Sequence, residues 1–563
     1  MTWPLAARFD RAARLNFGDG EWSLWNVTWV AHALTTAPGR VFQANIFHPD
    51  HNALAYSEAN IVTGALGVPF HLATAGSPYA THNGAMLTGL VLSVVFAWGF
   101  AAYLGASGPA AAFFAIAFTY CPYLFARTSH IQLMMTFGLP LSLWMFHRLV
   151  DAPSMARGAA LGVALAVQAL ACAYFGIFAA LIVGLGTMVY AMSRRLWASP
   201  RYWLAISTGA IVSLGMVAPF FAPYVRVQQE LGFARSLADA AMFSADWQAW
   251  LASSAWAHRW MLPRLEQWNE VLFPGVLVSI LGLAGLVVGA HRWAAEAQTD
   301  PTSDWSVCAL TTRRQETTLF YALIGGFAFW GSFGPAAGLY SVLYTSLPVF
   351  TFLRAPGRFG ILVVLALCVL ALVALQGLLA TRSRRAHVAV GTLAAVLVTA
   401  ESFTAPLTLQ HAATPAPHHR QLADLPDGAL IELPFWSARA DFSRHARYML
   451  WSTSHWKPLV NGYSDHIPQW FREQAVPLST FPTRESFALL KPHGVRYALF
   501  HLNWYSGDSR RALDARIAQF RDRLRPINVN GDVWLFEIVE DPREHARDQD
   551  PGAAAAHTRR LLR

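Results

Sequence analysis

Apolar residues run through this chain in blocks rather than in alternation. The blocks occupy about 82–104, 108–126, 131–149, 158–173, 175–192, 203–224, 273–291, 318–334, 359–380 and 387–403. A hydrocarbon core about 30 Å thick is crossed by about 20 apolar residues in a helix, so this pattern predicts a mainly α polytopic membrane bundle of about ten transmembrane helices. Residues 59–75 are apolar too, but Gly64, Gly67, Pro69 and His71 interrupt them, which predicts a helix lying in the interface, or re-entrant, rather than a full span. Beyond Pro406 the blocks stop. Short apolar runs at 429–433, 495–502 and 532–539, with a helical pattern at 510–524, predict a C-terminal soluble α/β domain with a small sheet covered on one side. The expected division is therefore 1–81, an external acidic loop with the interfacial helix; 82–404, the bundle; 405–425, a linker rich in Pro, Ala and His; 426–540, the soluble domain; and 541–563, a charged tail that frays.

Charge sets the orientation. Lys and Arg collect in short cytoplasmic loops, and the basic loops hold Arg148 and Arg157; Arg194, Arg195 and Arg201; Arg313 and Arg314; and Arg382, Arg384 and Arg385. Strict alternation of ten spans is read as failing to bring all of these to one face, so one short span between 158 and 192 is expected to drop out. The opposite, external face then receives the first segment, the 225–272 and 335–358 loops and the C-terminal domain. An external N-terminus needs a special insertion route, and Thr2-Trp3-Pro4-Leu5 reads like the end of a helix. An upstream first span is therefore expected to be missing.

Composition narrows the class. Of 563 residues 55% are hydrophobic and 13% charged, against roughly 25% charged in soluble domains. The net charge of +9 is scattered between apolar blocks and makes no basic face, which excludes nucleic acid and favours anionic lipid or a phosphate-bearing lipid substrate. Cys121, Cys172 and Cys368 fall in apolar blocks and Cys308 in a polar loop; neither a disulfide framework nor a metal site follows from their spacing. No Walker loop, dinucleotide fingerprint or nucleophile elbow occurs.

The candidate chemistry lies on the external side. Residues 16–29, N-F-G-D-G-E-W-S-L-W-N-V-T-W, set Asp19 and Glu21 among glycines and tryptophans. Asp50 with His51, and Glu58, follow; Arg235, Asp239, Asp246 and Glu270 lie in the loop after the sixth block, and Arg354 and Arg358 in F-L-R-A-P-G-R-F. Carboxylates and paired arginines suit a reaction in which a hydroxyl loses its proton to an acid while a phosphate departs toward guanidinium groups. Simpler roles stand beside these. Gly-Asp-Gly is ordinary turn chemistry, Arg354 and Arg358 could snorkel to headgroups, and Glu270 could serve a helix dipole. His48, Asp50 and His51 make a polar turn more readily than a metal site. Trp22, Trp25 and Trp29 share one helical face and read as an interfacial anchor, with sugar stacking as the minority reading. The 451–466 stretch, W-S-T-S-H-W-K-P-L-V-N-G-Y-S-D-H, suits either a carbohydrate-facing loop or a packing seam between tail and bundle.

Together, G-D-G-E with the segment through Y-S-E-A-N, the short-looped blocks, L-P-V-F-T-F-L-R-A-P-G-R-F and the soluble tail resemble the GT-C superfamily of integral membrane glycosyltransferases. The resemblance implies transfer of a sugar from a polyprenyl-phosphate donor to an envelope acceptor, a glycan, lipid or other group, at a bacterial cytoplasmic membrane. By position it implies Asp19 as base, Glu21 as its neighbour, and Arg354 and Arg358 for the lipid phosphate; Asp50, Glu58 and Glu270 are further substrate-binding candidates. A divalent cation, Mg²⁺ or Mn²⁺, stays open, with no metal ligands assigned. The tail lacks a W-W-D motif, which sets protein N-glycosylation aside. A lipid-linked glycan transporter or flippase, or a non-catalytic assembly factor, is the alternative; charge-free block centres disfavour transport.

Overall fold

The computed structural model describes residues 1–127, 129–232, 235–266, 268, 270–299, 313–411 and 414–539. Cys308 and the 541–563 tail lie outside them. The chain divides into two compact units, Met1–Arg14 with Asn60–Gln410, and Leu15–Ala59 with His411–Arg563. This division differs from the one read along the sequence. The acidic N-terminal segment belongs to the same unit as the C-terminal sheet.

In the first, helical unit every apolar block is a helix: Pro78–Tyr103, Gly108–Thr119, Gly138–Asp151, Met155–Ala171, Ala173–Ser193, Pro200–Leu231, Val276–Thr299, Arg313–Ser332, Gly360–Leu378 and Arg384–Glu401. Serines start several of them, because a hydroxyl accepts from an otherwise unpaired first-turn amide. Ser77, Ser154, Ser199 and Ser383 cap the backbone N–H groups of Ala80, Arg157, Tyr202 and Ala386. By length and composition five described helices can cross a membrane, namely Pro78–Tyr103, Gly108–Phe125, Ala173–Ser193, Pro200–Leu231 and Pro356–Leu378. Ile61–Ala73, with 13 residues, is about 20 Å long, too short to cross upright. Small residues let neighbouring helices close up. A Cβ on Gly158 would sit 2.1 Å from the Ala205 carbonyl oxygen, and one on Gly285 would sit 2.0 Å from that of Leu370.

Polar side chains mark the two ends of this bundle. At one end Arg194 pairs with Asp151 at 2.9 Å and Glu316 at 2.6 Å. The Tyr103 hydroxyl donates to Asp151 at 2.5 Å, Arg157 donates to the carbonyls of Arg148 and Ala152, and Gln376 to that of Leu104. At the other end Tyr174 accepts from the Arg354 amide, and Glu401 accepts from the Val276 and Leu277 amides. Between Tyr174 and Arg194 runs the 21-residue helix Ala173–Ser193, about 30 Å long and so a match for a hydrocarbon core.

These links bring the basic loops to one end without the loss of a helix. The ten helices run alternately toward and away from the Arg194 end, and the basic loops share that end. Met155–Ala171 and Ala173–Ser193 are separate helices that leave and return to it, reversed at Cys172, whose backbone is extended (φ −155°, ψ 112°).

The second, α/β unit holds a four-stranded sheet, β1 (Ala429–Leu433), β2 (Val495–His501), β3 (Leu524–Asn528) and β4 (Val533–Ile538), in the order β1-β2-β4-β3. β1 and β2 are parallel and the other pairs antiparallel. Three strands lie where the apolar runs predict them. β3 is the addition: L-R-P-I-N carries Arg525 and Pro526 and only Leu524 is buried, an edge-strand composition that hides the pattern. The preceding helix, Gly507–Gln519, accordingly ends before the expected 524. Leu422, Leu430, Leu459, Tyr497, Leu499 and Leu535 form a core on the sheet. The expected linker also differs, since Pro417–Asp424 is a helix and its His418 and His419 are buried.

Candidate functional site

The acidic segment is not a loop but the start of the helix Asp19–Thr36. Gly18 caps it with φ 85°, and a Cβ there would meet the Ser443 Cβ at 2.8 Å; no other residue fits both constraints. Asp19 and Glu21 fall in the first turn, where negative charge suits the helix dipole. Two residues apart, they point in different directions. Half-buried Asp19 accepts from the Tyr463 hydroxyl at 2.8 Å. Glu21 is 3% exposed, and Arg447 donates to its Oε1 from Nε at 2.8 Å and Nη2 at 2.6 Å. Burial raises the Glu21 pKa more than Arg447 lowers it, so this carboxyl sits in a structural pair rather than at an open mouth.

The other N-terminal candidates are also held within the α/β unit. Asp50 accepts from Tyr56 at 2.7 Å and from the Trp470 indole at 2.8 Å, and burial pushes its pKa above the usual carboxylate range despite both bonds. His48 Nε2 faces the His493 carbonyl at 2.7 Å. Asp50 and His48 thus tie distant segments together and do not converge as ligands. Glu58 is half-buried, and its backbone carbonyl accepts from Asn26.

Trp22, Trp25 and Trp29 share a helical face as expected, but their surroundings correct the interfacial-anchor reading. All three are buried. The Trp25 indole donates to Asn45 and that of Trp29 to the Val41 carbonyl, and Trp29 meets Trp456 edge-on. The 451–466 stretch covers the helix Asp19–Thr36 through Trp456, which stacks on His32, and through Tyr463. It is a seam, and the partner is the N-terminal helix.

Within that seam Asn461, fully buried, clamps β1. Its Oδ1 accepts from the Glu432 amide at 2.7 Å, and its Nδ2 donates to the Glu432 carbonyl at 2.9 Å and to His445 Nδ1 at 3.1 Å. His445 Nε2 in turn donates to the Trp436 carbonyl. A neutral ring satisfies both contacts, and a second proton on Nδ1 would abolish one while charging a buried site. Burial lowers the His445 pKa from 6.5 to about 4. The unfolded chain therefore binds the proton first, and stability is lost as pH falls from about 6.5 toward 4. At pH 5 this one group should cost about 2 kcal/mol. Melting the purified protein at pH 7 and pH 5 checks this, and a His445→Gln variant should show a smaller difference.

In the helical unit, Glu270, Arg354 and Arg358 gather with a residue that the sequence reading missed. Glu270 pairs with Arg127, at side-chain exposures of 6% and 13%. The Arg127 guanidinium lies 4.5 Å over the Tyr123 ring, and its Nε and Nη2 are buried without hydrogen-bond partners. Arg358 lies 3.9 Å over Tyr174, Arg354 5.1 Å over Phe243, and Tyr123 donates to the Arg358 carbonyl. Gly357 is needed between them, since a Cβ there would sit 2.8 Å from the Glu270 Cγ. Arg14, also buried, donates from Nη2 to the Phe125 carbonyl at 2.5 Å, and its Nη1 has no partner. No sequence signal singles out Arg127, because Arg226, Arg235, Arg259 and Arg264 also lie on this side of the bundle. Three guanidiniums stacked on aromatic rings, with spare donors on Arg127, have the chemistry that suits an anion of phosphate type.

No family model and no curated protein matches the chain. Among solved structures it is similar to the archaeal oligosaccharyltransferase AglB from Archaeoglobus fulgidus in complex with an inhibitory peptide and a dolichol-phosphate, at 11% identity, 94% of this chain, 71% of that one and a TM-score of 0.47. It is also similar to ArnT from Cupriavidus metallidurans in the apo state, at 16% identity, 95% of both chains and a TM-score of 0.47. ArnT bound to undecaprenyl phosphate gives 15% identity, 95% and 96% coverage and a TM-score of 0.44.

Proposed function

We propose that this protein is a membrane glycosyltransferase that moves a sugar from a polyprenyl-phosphate-linked donor to a cell-envelope acceptor, at the external face of a bacterial cytoplasmic membrane. The observation that carries this is the guanidinium group of Arg127, Arg354 and Arg358. It lies at the end of the helical unit opposite the basic loops, where a lipid headgroup would meet the helix ends. An anionic phosphate there gains charge-assisted hydrogen bonds from the Nε and Nη2 groups of Arg127, which have no hydrogen-bond partner among the described residues. As the bond from the anomeric carbon to the phosphate oxygen breaks, the added negative charge on that oxygen falls to the arginines. The acceptor hydroxyl attacks the same carbon from the opposite face and gives its proton to a carboxylate, which we assign to Asp19. Glu21, paired with Arg447, holds the start of the same helix.

Loss of one such donor typically costs about 3 kcal/mol of transition-state stabilisation. Arg354→Ala should therefore lower turnover roughly 100-fold in a protein that still reaches the membrane. Release of the polyprenyl phosphate, followed by lipid extraction and mass spectrometry, measures it. An unchanged rate would mean that Arg354 only snorkels.

A further inference from the structure

Three buried side chains in the α/β unit take no part in this chemistry. His419 comes from the helix Pro417–Asp424, Glu432 from β1 and His501 from the end of β2. Their exposures are 0%, 0% and 3%. His419 Nε2 is 3.1 Å and His501 Nε2 2.7 Å from the same oxygen, Glu432 Oε2, and the three ligand atoms lie within 4.8 Å of one another. Glu432 Oε1 is buried with no hydrogen-bond partner.

Proton placement makes the cluster informative. His419 Nδ1 lies 3.3 Å from the Ala416 carbonyl, so it carries the proton. In a neutral ring Nε2 then presents a lone pair to a carboxylate oxygen, and two electron pairs face each other unless a cation binds both or a second proton makes the ring an imidazolium that donates to Glu432. A ring nitrogen donating to a backbone carbonyl while the other faces inward is the outer-shell arrangement of metal-bound histidine. A further group points the same way. The Lys457 amide donates to His455 Nδ1, so the proton of the neutral ring is on Nε2, yet that atom is buried without a partner. His455 is 9% exposed, and its ring stacks with that of His419 at 6.2 Å. It is a spare donor beside the cluster, placed for a metal-bound water. Trp451 and Trp504 pack on His501 and shield the group.

We infer that His419, Glu432 and His501 form a divalent transition-metal site of zinc type, which joins the helix Pro417–Asp424 to the sheet. Two imidazoles and one carboxylate suit Zn²⁺, whereas Mg²⁺ and Ca²⁺ prefer oxygen throughout. The site is separate from Arg127, Arg354 and Arg358 and does not depend on the transferase reading.

The test uses the full chain without a histidine tag, purified in detergent, stripped with a chelator and then equilibrated with Zn²⁺ or Co²⁺. Uptake of about one ion per chain, a tetrahedral cobalt spectrum, and a melting temperature raised by Zn²⁺ but not by excess Mg²⁺ are expected. Uptake well below one equivalent by the wild-type chain, or displacement by Mg²⁺, overturns the site whatever the variants do. His419→Gln and His501→Gln should each lose the ion. If both fold and keep full stoichiometry, the ion sits elsewhere and the assignment fails.

Discussion

Asp19→Asn should reduce sugar transfer by about three orders of magnitude, the middle of the range for a general base, in a protein that melts like the wild type. The substitution keeps the shape and lets the side-chain oxygen still accept from Tyr463, so the seam between the helix Asp19–Thr36 and the 451–466 stretch stays intact. What it removes is the capacity to take a proton. Tyr463 occupies one oxygen; among the described residues no hydrogen bond occupies Oδ2, which is where an acceptor hydroxyl would be received. Glu21→Gln is the internal comparison. Burial already favours a neutral group there, and an amide oxygen can accept from Arg447, so this variant should transfer sugar at close to the wild-type rate. Complementation of a deletion strain, with membrane levels by immunoblot and envelope glycans by mass spectrometry, separates the two. A full glycan profile from Asp19→Asn would leave the segment with a purely structural role.

Legibility in the sequence followed the strength of the local signal. The ten apolar blocks appear as ten helices because a long apolar run leaves the backbone no polar partner but itself. Their alternation is legible in the basic loops, which follow the third, fifth, seventh and ninth blocks. The short apolar strands β1, β2 and β4 announced themselves by composition, and β3 did not because an edge strand with Pro526 buries little. The Trp22, Trp25 and Trp29 face was seen as a stripe, but a stripe does not say whether lipid or protein covers it. Membership of residues 15–59 in the C-terminal unit is set by contacts more than 400 positions apart, such as Glu21 with Arg447, and local pattern holds no trace of them. For the same reason His419, Glu432 and His501 were invisible, since three elements bring them together and no spacing links them. The arginine pair of R-A-P-G-R stands out in the sequence, whereas Arg127 is one loop residue among many.

Arg127→Met should be the most damaging single change in the helical unit, and the way it can be rescued distinguishes structure from function. Arg127 and Glu270 are buried against each other. Removing the cation leaves the Glu270 carboxylate uncompensated, which costs about 3–5 kcal/mol when a buried pair is broken, a large part of the 5–15 kcal/mol that holds a typical fold together. The variant should therefore accumulate poorly in membranes and melt early in detergent. Adding Glu270→Gln removes the stranded charge, and the double variant should regain expression and melting temperature. Sugar transfer should not return with them, because the Nε and Nη2 groups that have no protein partner are gone in both. Arg127→Lys should likewise fold, keep the pair with Glu270 and transfer poorly, since an ammonium lacks the planar fork that grips two phosphate oxygens at once. Recovery of transfer in the double variant would reduce Arg127 to one half of a structural pair and leave the phosphate to Arg354 and Arg358.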